Sequence, residues 1–367
     1  MTESSTERPS KKVLLLGPGD AGAELALAFE RLGAAVTRMP EPPEADAVPA
    51  LLAEHRPDYV VAVSADVSPA VLIAAAEADS VEVFPTPRAT RLGADREALR
   101  KLAGDELGLP TVPFWFASSA DELTAVAEHA GFPLVVTPLT GTVADGQSVL
   151  TRPEDVEAAW KRAFAAGPAW ANRVMAETVV DVDDEVTLLT VRTTEPSGPA
   201  VQFCEPIGHR RADGAPLETW QPQELSAAAL DAARSIAARI VGSLGGRGLF
   251  AVELLIHGDE VYFATVNARP FDIGMITLRS QRLSQFELHA RAIMGLALDT
   301  IMVSPAAAEV GPRRPVANAA LAEALSVPES DVRLLDATSV AIATAPDVVR
   351  ARDRAHRVST VVHGLGS

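Results

Sequence analysis

Residues 248–277 constrain the fold of this chain more than any other stretch. They contain two β-rich runs, Leu249–Ile256 and Glu260–Val266, which are separated by a His-Gly-Asp triplet typical of a tight turn. The pattern predicts a β-hairpin. Because side chains alternate along a strand, Glu253 leaves the first run on the face opposite Phe250. A carboxylate therefore projects from an otherwise apolar strand.

Composition narrows the class of protein. At 367 residues the chain is long enough for two or three domains, and it has no apolar run near the ~20 residues that a membrane span needs. Residues 1–11 are polar and predict a disordered leader rather than a secretory signal. The single cysteine, Cys204, excludes an internal disulfide and favours a cytoplasmic location. The net charge of −17 argues against nucleic acid or an anionic membrane as a partner.

Strands alternate with helical runs in the first third of the chain, which predicts a Rossmann-like parallel α/β domain over residues 12–110. Prolines near 110–113 mark its end. A second α/β region is predicted over 111–300, and it includes one long amphipathic helix, Ala227–Leu244. Residues 301–367 predict a small β-containing C-terminal domain.

The glycine loop Gly17-x-Gly19-x-x-Gly22 follows a strand and opens a helix, as a dinucleotide-binding loop does. Such a loop also requires an acidic residue at the end of the next strand, where this chain has Arg38 instead. Arg38 suits a 2′-phosphate, so a nicotinamide enzyme stays open as an alternative. The other interpretation is a tight turn that binds a substrate at the helix N-terminus, with Gly19 and Asp20 as the contacts.

Several long strings resemble one family, the formate-dependent glycinamide ribonucleotide transformylases of the ATP-grasp superfamily. Besides the hairpin, the resemblance rests on Asp95-Arg96-Glu97-x-x-Arg100, Glu185-Val186-Thr187-Leu188-Leu189-Thr190, Pro206-Ile207-Gly208-His209-Arg210 and Thr219-Trp220-Gln221-Pro222-Gln223. It extends from about Val13 to Leu296. The resemblance implies an ATP-grasp fold of class α/β, with ATP and Mg²⁺ as cofactors, a small-molecule substrate and a homodimer.

The same resemblance implies roles for individual residues. For the nucleotide it implies Arg96, Glu177, Val179, Glu185 and Gln147. Glu253 and Asn267 match positions that suit a metal ion, because Mg²⁺ prefers oxygen ligands. The implied catalytic groups are Glu253, Asp272 and Arg269, with Asp272 also facing the substrate amine. His209 follows a strand beside two arginines, and it is either a structural or surface histidine or a catalytic group that transfers a proton in the cleft.

Other positions depart from the family's pattern. Thr137 and Asp145 stand where the family has lysines, and Thr265 stands where it has a second metal carboxylate. The segment Asp336-Ala337-Thr338-Ser339 lacks the family's basic residues for a ribose phosphate. Since phosphoryl transfer depends on cations around the phosphate oxygens, these changes predict weakened ATP chemistry. They also predict that the chain does not act on glycinamide ribonucleotide.

Three functions follow from these observations. The first is a repurposed small-molecule enzyme of specialised metabolism that uses the old cleft. The second is an ATP-dependent formyltransferase or carboxylate–amine ligase that works through an acyl phosphate. The third is a non-catalytic binding or partner subunit. The retained groups Glu253, Asp272, Arg269 and His209 favour the first.

Overall fold

The computed structural model describes residues 10–139, 146–165, 172–195, 198–212 and 215–364. The chain forms two compact units. The first contains residues 1–94, 185–253 and 266–367, and the second contains residues 95–184 and 254–265. The domain boundaries expected near 110 and 300 stay predictions.

A four-stranded parallel sheet begins the first unit. Its order is β2-β1-β3-β4, with β1 at Lys12–Leu16, β2 at Ala35–Met39, β3 at Tyr59–Ala62 and β4 at Glu82–Phe84. The strands are connected by helices Asp20–Arg31, Val48–His55 and Pro69–Ala76, and helix Pro87–Ala94 follows β4. Strands β1 and β3 are almost completely buried, which is typical of a parallel sheet covered on both faces. The predicted N-terminal parallel α/β fold is confirmed.

The second unit contains an antiparallel sheet of order β5-β8-β6-β7. These strands are Phe114–Ala117 (β5), Leu134–Pro138 (β6), Ser148–Leu150 (β7) and Val174–Thr178 (β8). Its helices are Arg96–Lys101, Ala120–Ala130 and Val156–Ala165. A π-helical turn at Leu102–Glu106 continues the first helix, and a 3-10 turn at Pro153–Asp155 precedes the last. Side chains from these strands and helices, including Leu123, Leu134 and Leu150, form its apolar core.

The largest sheet has the order β14-β13-β9-β11-β12-β15-β17-β16, with β10 paired to β9. Its strands are Asp184–Glu195 (β9), Gly198–Phe203 (β10), Ile207–Arg210 (β11), Leu217–Gln221 (β12), Gly248–His257 (β13), Glu260–Asn267 (β14), Ala306–Pro312 (β15), Ser330–Leu334 (β16) and Thr338–Thr344 (β17). The predicted hairpin is β13–β14.

The other helices of the first unit lie between these strands or after the last of them. They are Ala227–Leu244, a 3-10 helix at Asp272–Ile276, Thr277–Ser280, Gln285–Ile293, Asn318–Ala324 and Val348–His363; a 3-10 turn at Ala45–Ala47 lies earlier. Among the residues described here, no helix is both long and apolar enough to cross a membrane.

Candidate functional site

The first unit contains a pocket around Glu253, here called the Glu253 pocket. It encloses about 580 Å³ of space, counted to its open mouth. Three strands (β9, β11 and β13), the residue after β11 and the 3-10 helix that begins at Asp272 supply its polar lining. The lining residues are Glu185, His209, Arg211, Leu217, Glu253, Phe271, Asp272 and Ile273. Four residues predicted from the sequence are therefore brought together.

Glu253 is a largely desolvated carboxyl group. Burial raises its pKa to about 7, and the negative charge of Glu185 adds to the effect. The Asn267 amide Nδ2 donates a hydrogen bond to Glu253 Oε1 at 3.2 Å, which partly stabilises the charged form. The first unit thus holds a carboxyl group that changes charge near neutral pH.

His209 faces Glu185 across the antiparallel β9–β11 ladder. Its Nδ1 lies 3.7 Å from Glu185 Oε2, while its Nε2 has no hydrogen-bond partner among the described residues. The side chain is almost fully buried, and burial lowers the pKa of His209 to about 4. His209 is therefore neutral at pH 7.

Asp272 is a second desolvated carboxyl group of the Glu253 pocket. Burial raises its pKa, the nearby charge of Asp20 raises it further, and Arg211 opposes both. Asp20 itself accepts hydrogen bonds from the backbone N–H groups of Ala337 and Thr338, each at 2.9 Å, and from Thr338 Oγ1 at 2.6 Å. The Asp20 carboxylate, predicted to contact substrate, is thus occupied by the turn before β17.

The predicted substrate residue Gly19 precedes the helix that begins at Asp20. Gly17 and Gly19 both have positive φ, at 109° and 106°, which explains the glycines of this loop. The Gly17 N–H donates to Met39 O, which fixes the turn against β2.

A second pocket of the first unit, the Arg269 pocket, lies beside the end of β14. It encloses about 530 Å³ to its mouth, and Asn267 and Arg269 belong to its lining. Burial lowers the pKa of Arg269, while the charge of Asp66 raises it. No hydrogen bond or ion pair of the Arg269 side chain is present in the described part of the chain.

In the second unit, Glu177 forms an ion pair that the sequence did not predict. Arg100 Nη2 lies 2.5 Å from Glu177 Oε1, and Arg100 Nη1 donates to Phe263 O at 2.9 Å. Burial raises the pKa of Glu177, and the guanidinium opposes this shift. Arg100 belongs to the string Asp95-Arg96-Glu97-x-x-Arg100. It lies four residues after Arg96, and this spacing could have indicated from the sequence that both arginines lie on one face of a helix.

The remaining nucleotide candidates also lie in the second unit. Arg96 Nη1 donates to Pro138 O at 2.8 Å. Gln147 Nε2 donates to the buried Thr137 Oγ1 at 3.4 Å, so the residue that replaces a family lysine has a polar partner. Val179 is exposed, although its N–H donates to Pro133 O. Asp145 lies outside the described residues.

The side chains around Glu253 offer few ligands to a metal ion. The described residues contain no group of three or more His, Cys, Asp or Glu side chains that could hold a metal. Mg²⁺, however, is commonly bound by one or two carboxylates together with substrate phosphates and water, rather than by a complete protein cage. The Glu253 carboxylate and the Asn267 amide oxygen fit such a partial site, once the amide turns its oxygen toward the ion.

Comparison with known proteins identifies the family. Residues 102–286 match the ATP-grasp domain model. The chain is 44% identical to a formate-dependent phosphoribosylglycinamide formyltransferase of Corynebacterium efficiens over 96% of each chain. It is 42% identical to a protein of the same name from Burkholderia vietnamiensis over 97% of this chain and 96% of the relative. The family prediction is confirmed, and so is the prediction that the chain is an enzyme.

Solved structures agree on the fold. The structure described as glycinamide-RNase-transformylase T from Mycobacterium tuberculosis superposes with a TM-score of 0.84 at 48% identity, covering 96% of this chain and all of that one. An ADP complex of N5-carboxyaminoimidazole ribonucleotide synthetase has a TM-score of 0.83 at 20% identity, covering 97% and 98%. At that identity the second likeness concerns the fold alone. The predicted ATP-grasp fold is confirmed.

One prediction is wrong. The sequence led to a repurposed enzyme that does not act on glycinamide ribonucleotide, whereas 42–44% identity to formyltransferases over nearly the full length favours the ordinary reaction. The error lies in treating each lost lysine or carboxylate as a lost function. A single position says nothing of the groups that surround a phosphate in the folded protein, and electrostatic stabilisation is shared among many of them.

Proposed function

Because the chain belongs to the ATP-grasp family of formate-dependent phosphoribosylglycinamide formyltransferases, we propose that it formylates the amine of phosphoribosylglycinamide with formate and ATP. The observation that carries the proposal is the Glu253 pocket. It combines two desolvated carboxyl groups, Glu253 and Asp272, with a neutral buried histidine in one unit. Such a set of perturbed groups in one pocket is typical of an active site.

The proposed reaction has two steps. A formate oxygen attacks the γ-phosphorus of ATP, and the bond to ADP breaks, which leaves formyl phosphate. The amine nitrogen then attacks the formyl carbon, the bond to phosphate breaks, and the amine loses one proton. Enzymes accelerate such transfers mainly by positioning the reactants and stabilising charge.

Arg269 is the proposed contact for the transferred phosphoryl group or for formate. Its guanidinium is largely desolvated and makes no ion pair in the part of the chain that the structure describes. A guanidinium binds carboxylate or phosphate oxygens through paired hydrogen bonds, and these are strongest where water is excluded. Arg269 can therefore orient the anion without first breaking an internal contact.

Asp272 is the proposed acceptor of the proton that the amine loses. Its raised pKa makes its carboxylate a stronger base than an exposed aspartate, and it lines the same pocket as Glu253. His209 contributes a neutral imidazole beside Glu185, which keeps a positive charge away from the approaching amine.

Glu253 and Asn267 are the proposed holders of Mg²⁺. When bound, the ion neutralises charge on the nucleotide phosphates. Glu253 must give up its proton to bind a cation, so cation binding is expected to tighten as the pH rises through about 7.

The further assignments belong to the same proposal. The nucleotide contacts are Arg96, Glu177, Val179, Glu185 and Gln147. Gly19 and Asp20 are the proposed substrate contacts through their backbone, since the Asp20 carboxylate is bound to residues 337 and 338. We also propose a homodimer in the cytoplasm, with domains at 12–110, 111–300 and 301–367.

Formyl transfer by the purified chain tests the proposal. We expect formylated product that depends on ATP, Mg²⁺, formate and phosphoribosylglycinamide. Asp272→Asn should lower kcat by on the order of 10²-fold, the range for loss of a general base. Glu224→Gln, at an exposed carboxylate, is the matched control and should leave the rate unchanged. Product formation without formate, or no product with all four components, would contradict the proposal.

A further inference from the structure

The Arg269 pocket is mainly apolar, which the reaction with formate does not require. Its walls come from the end of β3 and the loop after it, from the helices Pro69–Ala76 and Pro87–Ala94, and from the end of β14 and the residues after it. Apolar residues, among them Ala62, Val67, Leu72, Pro85 and Ala89, outnumber the polar lining residues, which are Ser64, Thr90, Asn267 and Arg269. An apolar recess with one charged group at its edge is the usual form of a site for a small amphipathic ligand.

The charged group is the Arg269 guanidinium. It is half-buried, burial lowers its pKa, and it has no hydrogen bond or ion pair within the described residues; Asp66 influences it only through its charge. A desolvated cation is costly without an anionic partner. The pocket therefore presents a position for an anion next to a wall of hydrocarbon.

The pocket also adjoins the reaction centre proposed above. Asn267 is part of its lining and donates to Glu253 at 3.2 Å, and both residues belong to the proposed metal site. An acid whose carboxylate binds Arg269 would thus lie next to the proposed metal site, with its carbon chain directed into the pocket.

We propose that the Arg269 pocket accepts the hydrocarbon chain of a short aliphatic carboxylic acid of three to four carbons, so that the enzyme activates and transfers acids larger than formate. The inference rests on the proposed function. A carboxylate oxygen attacks the γ-phosphorus and ADP leaves; the amine nitrogen then attacks the acyl carbon, phosphate leaves, and the amine loses a proton. The product is an N-acyl amide instead of an N-formyl amide.

The size of the pocket supports this substrate class. One water occupies ~30 Å³ in the liquid, and formate has three heavy atoms. The centre of a water molecule can reach about 80 Å³ of the recess, several times the ~10–15 Å³ needed to hold one water, so the recess has room for a propyl chain as well as for formate. Each buried CH₂ contributes ~0.8 kcal/mol of transfer free energy, so butyrate gains affinity that formate cannot.

Gly93 offers a direct test. It lies in the helix Pro87–Ala94, lines the pocket, and a Cβ added there meets no atom within 4 Å. Gly93→Leu should narrow the pocket without disturbing the helix. Gly242→Leu is the matched control, because Gly242 is also helical, exposed and free of neighbours within 4 Å, but does not line the pocket.

The experiment supplies formate, propionate or butyrate in turn to the full chain with Mg·ATP and phosphoribosylglycinamide, and measures ADP release and acylated product by mass spectrometry. We expect product from all three acids. In Gly93→Leu, kcat/KM for butyrate should fall by at least about tenfold and that for formate by less than about twofold, the discrimination that one pocket wall can supply. Gly242→Leu should match the wild type.

The outcomes separate this inference from the proposed function. Formate turnover with no butyrate product and no inhibition by butyrate overturns the inference alone. An equal loss for formate and butyrate in Gly93→Leu also overturns it, because the wall would then serve a different substrate. If formate gives no product, calorimetry with butyrate decides: binding that weakens in Gly93→Leu supports the pocket, and absence of binding overturns it.

Discussion

Glu253 illustrates how one side chain can carry opposite demands for stability and for function. Its pKa is about 7 in the folded chain, compared with an ordinary value of 4.5. The folded state therefore binds the proton more tightly than the unfolded state does. The stability that this group contributes is complete below pH 4.5 and is lost as the pH rises through about 7.

Glu253→Gln should therefore stabilise the folded chain at alkaline pH. One pKa unit corresponds to ~1.4 kcal/mol, so the free energy of unfolding of the variant relative to wild type should rise by about 3 kcal/mol between pH 4.5 and 8.5. Urea unfolding across this range measures the effect without nucleotide or metal. For Glu224→Gln, the difference in unfolding free energy from the wild type should not change with pH. If the difference for Glu253→Gln does not change with pH either, the Glu253 carboxyl group is solvated.

Single residues also set the limit of what the sequence predicts. The alternation of side chains in β13 predicted that Glu253 projects from the face opposite Phe250, because alternation depends only on neighbouring residues. The partner of Asp20 was not predictable in this way, since Ala337 and Thr338 are more than 300 residues away. Likewise, nothing in the sequence indicated that Thr137, which stands in place of a family lysine, accepts a hydrogen bond from Gln147.

At the level of elements, the Arg100–Glu177 pair joins the helix Arg96–Lys101 to β8, and its second hydrogen bond reaches the backbone of β14 at Phe263. Both side chains are largely buried, with 9% and 15% of their surface exposed. A buried pair of this kind is strongly destabilising when one partner is removed, because the other charge remains without compensation.

Arg100→Met should thus lower the stability of the second unit by about 3–5 kcal/mol, and Glu177→Gln in the same background should recover part of the loss. A double-mutant cycle on thermal unfolding measures the coupling. The matched control is the exposed Lys161–Glu157 pair on helix Val156–Ala165, where coupling of no more than ~0.5 kcal/mol is expected. Equal coupling in the two cycles would refute the role assigned to burial.

The sequence located most elements because periodicity is a local property. The hairpin and the long helix Ala227–Leu244 lie where the alternating and the amphipathic patterns predicted them. The C-terminal helix Val348–His363 was missed, since its mix of arginines and small residues has only a narrow apolar stripe. Its buried positions, such as Ala351 and Ala355, can be recognised only in the folded chain, where the helix packs against β15 and β17.

At the level of the first unit, Asp20 ties the glycine loop to the turn before β17. Three hydrogen bonds to a carboxylate, at 2.6–2.9 Å, make this a strong contact. Asp20→Ala should lower the free energy of unfolding by about 1.5–3 kcal/mol, the range for hydrogen bonds to a charged group. It should also accelerate amide exchange at Ala337 and Thr338.

Hydrogen exchange followed residue by residue measures this, with Asp79→Ala as the control at an exposed aspartate. The substrate role predicted from the sequence would be supported instead if Asp20→Ala raised KM for the amine substrate about tenfold and left amide exchange at residues 337 and 338 unchanged.

The whole chain should be sensitive to acid because two buried histidines are held neutral. Burial lowers the pKa of His209 to about 4 and that of His289 to about 3, from an ordinary value of 6.5. The unfolded chain therefore binds more protons below pH 6.5. The stability from each histidine is complete above pH 6.5 and is lost as the pH falls toward its folded pKa, at ~1.4 kcal/mol per pH unit for each proton.

His289→Asn tests this argument, because His289 Nδ1 accepts the Leu249 N–H at 2.9 Å and an asparagine oxygen can accept it instead without titrating. Between pH 6 and 4 the stability of the variant should fall less steeply than that of the wild type, by ~1.4 kcal/mol per pH unit. The test compares the slopes of stability against pH and not the absolute stabilities, because the smaller asparagine side chain also leaves a cavity. His129→Asn, at an exposed position, should keep the wild-type slope. If His289→Asn keeps that slope too, the imidazole must already be protonated or solvated in the folded chain, and the acid sensitivity has another origin.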